Sequence, residues 1–147
     1  MDFHHVLKHI ADLINPLLGI WLAAAIFAGR KLAEQPKERR TMLLRVVAAI
    51  VVVYIVGHVN RKFHLWPIDP MFPSGHIGFS ACIATCLFWL ERRSLLITVP
   101  VIAAQSILIV YLGFHHWIDV FGALCIAPPL TWLCLAAGQP SQRPNPQ

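Results

Sequence analysis

The segment Pro73-Ser74-Gly75-His76 combines residue types that can hold an anion. Proline fixes the backbone at the entry to the following apolar run, and serine can cap a helix that begins there. Glycine lets a ligand approach the backbone closely, and the unpaired N–H groups of a helix N-terminus attract negative charge. The segment therefore predicts a phosphate-binding helix start with an imidazole beside it. An ordinary capped helix start is the simpler alternative.

His115 and Asp119 are a second pair of residues that could carry out chemistry, and they lie four residues apart at the start of the last apolar run. On a helix this spacing places both side chains on one face. The carboxylate can then hold the proton of one imidazole nitrogen and direct the other nitrogen outward, which produces a nucleophilic histidine. A purely structural His–Asp pair would show the same spacing. An aspartate within a membrane helix nevertheless needs a partner, and His115 is the nearest candidate.

Further ionisable residues lie near these two segments. Such groups at membrane depth are costly and indicate function, whereas histidines at the interface can serve as amphipathic anchors. We interpret His4, His5 and His9 as anchors. These additional residues are His58, Arg61, Lys62, His64, Asp69 and His116. The histidines and the aspartate of this set, together with His76, His115 and Asp119, could bind a divalent ion, so a metal-dependent hydrolase is one alternative.

The chain that must position these residues has the composition of a membrane protein. Of its 147 residues, 57% are hydrophobic and 13% are charged, and the mean hydropathy is +0.63. Soluble domains carry about 25% charged residues. A membrane-spanning helix needs about 20 apolar residues, so the chain has room for five or six spans and no separate soluble domain. We predict an all-α polytopic bundle of five transmembrane helices, of which the third is short, over the apolar runs 10–29, 42–58, 75–90, 95–114 and 117–137.

The distribution of basic residues predicts the orientation of the bundle. Nine of the twelve lysines and arginines fall on one side of the predicted spans, and only Lys8, Arg61 and Lys62 fall on the other. The positive-inside rule then places the N-terminus and the histidine-rich loops outside, and the C-terminus in the cytoplasm. Because the basic residues flank spans, they do not indicate nucleic-acid binding. We expect a single transmembrane domain over residues 1–138 and a disordered cytoplasmic tail over 139–147.

Together the two segments resemble the type 2 phosphatidic acid phosphatase superfamily, whose members are integral-membrane lipid phosphatases. In that family a Lys-x6-Arg-Pro element, a Pro-Ser-Gly-His element and a Ser-Arg-x5-His-x3-Asp element surround one phosphate. The second element is intact here at 73–76, and His115 with Asp119 preserves the end of the third. The resemblance implies a family-like catalytic core over residues 58–122.

The chain departs from the family pattern at both arginines. Lys62 is followed after six residues by Asp69-Pro70 in place of Arg-Pro, and Leu108-Ile109 stands in place of Ser-Arg. An arginine binds phosphate through two charge-assisted hydrogen bonds, so its loss should weaken phosphate binding or transition-state stabilisation. The family also usually has six spans, and the first is missing from the predicted set.

Carried to the matching positions, the resemblance implies a catalytic role for three residues. His115 would attack phosphorus, Asp119 would orient His115, and His76 would protonate the leaving oxygen. No metal or other cofactor is required for this chemistry. The residues expected to hold the phosphate are Lys62, Ser74 and Gly75, with Arg61 and His116 as further sources of positive charge.

These inferences favour a membrane phosphatase that acts on a lipid phosphate or diphosphate of phospholipid or polyprenyl type. The expected partners are the lipid substrate and the bilayer, and the expected location is the bacterial inner membrane with an extracytoplasmic active face. One alternative is a catalytically degenerate relative that binds a lipid headgroup or serves another membrane protein. Pairing of the bundle with a second copy is left open.

Overall fold

The computed structural model describes residues 3–29, 34–63, 66 and 71–137. The predicted tail at 139–147 lies outside the described residues, as do His64 and Asp69. The described residues form five α-helices joined by short connections, which confirms the all-α prediction. The helices are α1 (Phe3–Ala28), α2 (Pro36–Phe63), α3 (Gly75–Leu90), α4 (Leu95–Tyr111) and α5 (Trp117–Ala136), and a 3-10 turn at Arg92–Ser94 links α3 to α4.

Four of these helices, all except α3, are long and apolar enough to cross a membrane. They carry exposed large apolar side chains that water would not stabilise, such as Leu17, Val47, Leu96 and Phe121. Contact with lipid tails accounts for a surface of this kind, because hydrocarbon solvates apolar side chains well. The chain is therefore an integral membrane protein.

Helix α3 lies at the centre of the bundle and packs against each of the other four helices. It is apolar around its whole circumference, and nine of its 16 residues are buried. A helix of this kind is stable when protein surrounds it on all sides. Its length of about 24 Å is below the thickness of the hydrocarbon core, but neighbours rather than lipid cover its flanks. The prediction that the third helix is short is confirmed, and its central position explains how it is accommodated.

A buried polar cluster fixes how α1, α3 and α4 align. The Ser80 hydroxyl lies 2.6 Å from Asn15 Oδ1 and 2.5 Å from Gln105 Oε1, and Gln105 Nε2 donates to Asn15 Oδ1 over 3.0 Å. Ser80 and Gln105 have no exposed surface. Because hydrocarbon offers no other partners, hydrogen bonds between membrane helices resist sliding of one helix along another. The cluster therefore sets the axial register of the three helices.

The segment that precedes α3 is attached to two other helices. The side-chain amide of Asn60 on α2 donates to the carbonyl of Phe72 over 2.8 Å, and the amide of Ser74 donates to the carbonyl of Asp119 over 3.1 Å. The ring of Phe72 packs directly over Gly122 of α5, where a Cβ atom would overlap it. Glycine at position 122 therefore permits the close approach between this segment and α5.

This packing predicts that Gly122→Ala destabilises the protein. The added methyl group has to displace the buried Phe72 ring, which should lower the free energy of unfolding by about 1–3 kcal/mol. Gly19→Ala on α1 is the matched control, since a Cβ atom there meets no atom within 4 Å. The control should leave stability unchanged or raise it by up to about 1 kcal/mol. Thermal unfolding in detergent micelles measures both, and equal melting temperatures for the two variants would contradict the packing argument.

Candidate active site

The start of α3 has the geometry of an anion-binding helix terminus. Ser74 is the N-cap, and its hydroxyl oxygen faces the amide of Ile77 at 3.5 Å. Its carbonyl accepts from the amide of Gly78 over 2.9 Å. Gly75 is the first residue of the helix, and a side chain there would meet nothing within 4 Å. The backbone of residues 74–76 is thus approachable at the positive end of the helix dipole.

The turn between α4 and α5 places His115 at the same end of the bundle. Gly113 adopts a positive φ of 73°, and its amide donates to the carbonyl of Val110 over 3.0 Å. The amide of Phe114 donates to the carbonyl of Ile109 over 3.0 Å. These two hydrogen bonds form a Schellman motif, which ends a helix and reverses the chain within a few residues. Helix α5 can therefore begin at Trp117, directly after the two histidines.

His115 and Asp119 form a buried pair. Nδ1 of His115 lies 3.3 Å from Oδ2 of Asp119, and the two side chains are 5% and 0% exposed. The same carboxylate oxygen accepts a hydrogen bond from the backbone amide of His116 over 2.9 Å. The other oxygen, Oδ1, is buried and makes no hydrogen bond with any residue that the structure describes. The carboxylate can therefore hold a proton on Nδ1 of His115, which leaves Nε2 as the nitrogen able to act as a nucleophile.

His76 lies next to this pair. The ring centroids of His76 and His115 are 6.4 Å apart, and the ring planes meet at 66°. The side chain of His76 is 43% exposed, whereas that of His115 is nearly buried. The structure thus brings together the three residues to which the sequence assigned catalytic roles. The two rings are close enough for one small ligand to contact both.

Asp12 of α1 lies beside the candidate site, and the sequence did not predict this position. Its Oδ1 lies 3.9 Å from Nε2 of His76, and its side chain is 49% exposed. Lys8, one helical turn earlier, places its ammonium group 5.9 Å from the centroid of the Phe114 ring. A signal was present, because Lys8 and Asp12 are charged residues with helical spacing at the edge of an apolar run. Only the packing of α1 shows which residues they face.

A shallow open groove runs beside the start of α3, between α2, α3 and α5. Its walls are mainly small or apolar, and one charged residue, Arg61, belongs to them. The guanidinium of Arg61 folds back toward Gly57, where a Cβ atom would lie 3.9 Å from it. His76, His115 and Asp119 do not line this groove. The lining residues are Val53, Tyr54, Gly57, Arg61, Pro73, Ser74, Gly75, Gly78, Ala123, Ile126 and Ala127.

The remaining predicted phosphate ligands differ in their surroundings. Arg61 shares the groove with Ser74 and Gly75. Lys62 is exposed at the end of α2, with its ammonium 5.5 Å from the centroid of the adjacent Phe63 ring. His116 is exposed and contributes its backbone amide to Asp119. Of the predicted cations, Arg61 is the one that lies with the phosphate-binding segment in the part of the chain that the structure describes.

The hypothesis of a metal-dependent enzyme requires several ligands in one place. Within residues 3–29, 34–63, 66 and 71–137, no three histidine, cysteine, aspartate or glutamate side chains lie together as a metal site would require. His115 and Asp119 form a pair rather than part of such a group. The described part of the chain thus gives no support to a divalent-ion site.

Comparison with known protein families identifies the family of this chain. The model of the PAP2 superfamily matches residues 55–143, a range that includes Pro73–His76 and both His115 and Asp119. No curated protein and no solved structure matches the chain. The matched range covers more than half of the sequence and contains the residues that form the histidine site. The chain therefore belongs to the PAP2 superfamily.

Proposed function

We propose that this protein is a membrane phosphatase that removes phosphate from a lipid phosphate or diphosphate through a phosphohistidine intermediate. Membership of the PAP2 superfamily supports a phosphatase-type function in general. The observation that carries the proposal is the buried His115–Asp119 pair beside His76, at the end of the bundle where α3 begins. This arrangement supplies a nucleophile, an orienting carboxylate and a second imidazole for proton transfer.

In the first step, Nε2 of His115 attacks phosphorus. A nitrogen–phosphorus bond forms, and the bond between phosphorus and the leaving oxygen breaks. Asp119 holds the proton on Nδ1 and stabilises the positive charge that develops on the ring. His76, as the cationic imidazolium, gives a proton to the leaving oxygen, so the lipid departs as a neutral alcohol or, from a diphosphate, as a monophosphate.

In the second step, water replaces the histidine at phosphorus. His76 is neutral after the first step and can accept a proton from the attacking water. A new oxygen–phosphorus bond forms, the nitrogen–phosphorus bond of His115 breaks, and inorganic phosphate leaves. His76 is then again protonated and His115 is again neutral, so the cycle closes without a cofactor.

Positively charged side chains and N–H groups must stabilise the negative charge on the phosphoryl oxygens. We assign the backbone at Gly75, the hydroxyl of Ser74 and the guanidinium of Arg61 to this role, since Ser74 and Gly75 directly precede His76 at the start of α3 and Arg61 lies beside them. Lys62 and His116 are additional cationic candidates at the same end. Arg61 can supply the bidentate hydrogen bonds that the two motif arginines supply elsewhere in the family.

A lipid substrate fits the surroundings of the site. The groove beside Ser74 and Gly75 has mainly apolar walls, and the surrounding helices expose apolar side chains to lipid. A hydrocarbon chain could therefore lie against these apolar surfaces while its phosphate meets the start of α3. The positive-inside rule supports an extracytoplasmic site, and we propose the bacterial inner membrane as its location.

A degenerate relative that binds lipid without turnover is the second candidate, and one observation favours it. Ile109 occupies the position of a family arginine, and it is fully buried in an apolar cluster with Leu112 and Val120. Leu108 packs against the same cluster. The chain thus uses this position for core packing, and catalysis depends on cations supplied from elsewhere.

The proposal predicts phosphate release from a lipid phosphate by the purified protein in detergent. The panel should contain phosphatidate, phosphatidylglycerol phosphate, a polyprenyl diphosphate and a lipid A phosphate, each with and without chelator. His115→Ala should abolish release because it removes the nucleophile. His76→Ala should lower it by about 10²–10⁴-fold because the leaving oxygen then lacks a proton donor.

His9→Ala is the matched control for these variants, because His9 is an exposed histidine of α1 outside the proposed site. Gel filtration and helical circular dichroism check that each variant remains folded. Tight lipid binding with no release by the wild-type protein would favour the non-enzymatic candidate. Release that chelator abolishes would favour the metal-dependent hydrolase, and unchanged release by both catalytic variants would exclude the proposed roles.

Arg61→Gln tests whether this residue replaces the family arginines. Loss of a charge-assisted contact to the phosphoryl group should lower kcat/KM by about 10–100-fold, equivalent to about 1.4–2.8 kcal/mol. Arg93→Gln is the matched control, since Arg93 is an exposed arginine at the opposite end of α3. Steady-state kinetics on one lipid substrate measures both variants. Equal kcat/KM values for the two variants would show that Arg61 does not contact the phosphoryl group.

A further inference from the structure

We propose that Asp12 of α1 is a positioning residue for His76, so that each of the two histidines has its own carboxylate. This inference rests on the proposed phosphatase function and adds the first helix to the catalytic apparatus. It starts from the 3.9 Å approach between Oδ1 of Asp12 and Nε2 of His76. Among the residues that the structure describes, neither Asp12 nor His76 makes a closer ion pair with another residue.

The alignment of α1 and α3 makes this contact a consequence of the fold. Asn15, one turn beyond Asp12 on α1, lies within hydrogen-bond distance of Ser80, one turn beyond His76 on α3. Gln105 of α4 completes that buried cluster. Since the cluster fixes the register of the two helices, residues one turn nearer the site on each helix must face one another. Asp12 is therefore held opposite His76.

The cost of a carboxylate in this place also points to a role. Charged side chains within membrane helices are expensive unless they meet a partner or a polar cavity. Asp12 is followed along α1 by exposed side chains that are apolar, among them Leu13, Leu17 and Ile20. Lys8, on the same helix, places its ammonium near Phe114. Both charged residues thus face the two segments that carry the histidines.

A carboxylate at Nε2 determines which nitrogen of His76 exchanges a proton. A distance of 3.9 Å suits an ion pair, and a shift of about 1 Å would bring the atoms into hydrogen-bond range. Catalytic contacts of this type commonly shorten when substrate binds. With its Nε2 proton held by Asp12, His76 gives the proton on Nδ1 to the leaving oxygen and later takes a proton from water at the same atom.

Two substrates that differ only in leaving group test this role. An alkyl phosphate needs a proton on its leaving oxygen, whereas a nitrophenyl phosphate with an equal hydrocarbon chain releases a stable phenolate. Asp12→Asn should lower kcat/KM for the alkyl phosphate by about 10–100-fold and for the nitrophenyl phosphate by less than about 3-fold. Asp12→Glu, which keeps the charge, should recover most of the lost activity.

The control variants separate positioning from general destabilisation. Glu91→Gln makes the same carboxylate-to-amide change at the other end of α3 and should leave both substrates unaffected. In a His76→Gln background, Asp12→Asn should cause no further loss, because the residue acts through His76. Equal losses on the two substrates, no loss on either, or a further loss in the His76→Gln background would each overturn the role of Asp12.

If Asp12→Asn does not fold, a measurement on the wild-type protein can test which nitrogen of His76 carries the proton. Nitrogen-15 NMR of labelled histidines, with His76→Gln to assign the signal, should show neutral His76 protonated at Nε2. Protonation at Nδ1 would contradict the proposal. Absence of phosphate release from both substrates by the wild-type protein is a different outcome, since it would overturn the proposed function and this inference with it.

Discussion

Asp119 makes three contacts on which the site depends. Its backbone carbonyl accepts from the amide of Ser74, so α5 is attached to the segment that begins α3. Its carboxylate accepts from the amide of His116 and faces Nδ1 of His115. One fully buried residue therefore connects the proposed phosphate-binding segment to the proposed nucleophile. A charge buried without such partners would be strongly destabilising, so the fold and the site constrain each other at this position.

The sequence predicts the parts of this structure that depend on neighbouring residues. The apolar runs indicate five helices because each run is long enough to form one, and the four-residue spacing of His115 and Asp119 indicates one shared face. The sequence does not predict that Asp12 faces His76. That contact depends on the register of α1 and α3, which Asn15, Ser80 and Gln105 set from three separate helices. No local pattern contains such information.

The positive charge of the site is arranged differently from the pattern its family suggests. Ile109 contributes to the core at one family arginine position, while Arg61 folds back along α2 toward Gly57. The family motif therefore could not indicate where the guanidinium would lie. Gly57, Gly75 and Gly78 all border the groove. Because they carry no side chains, they leave room for Arg61 beside the start of α3. Small residues on α2 and α3 create space that one long cationic side chain can enter.

The different lengths of α1 and α3 have a consequence for how a substrate could reach the site. Asp12 lies opposite His76, yet α1 begins at Phe3, so the first helix continues about 13 Å beyond the histidines. The candidate site consequently lies below the outer end of α1 rather than level with it. The proposed lipid substrate would reach the histidines by lateral diffusion within the leaflet. Its turnover would then follow its mole fraction in the bilayer, and dilution with inert lipid would slow it even at constant bulk concentration.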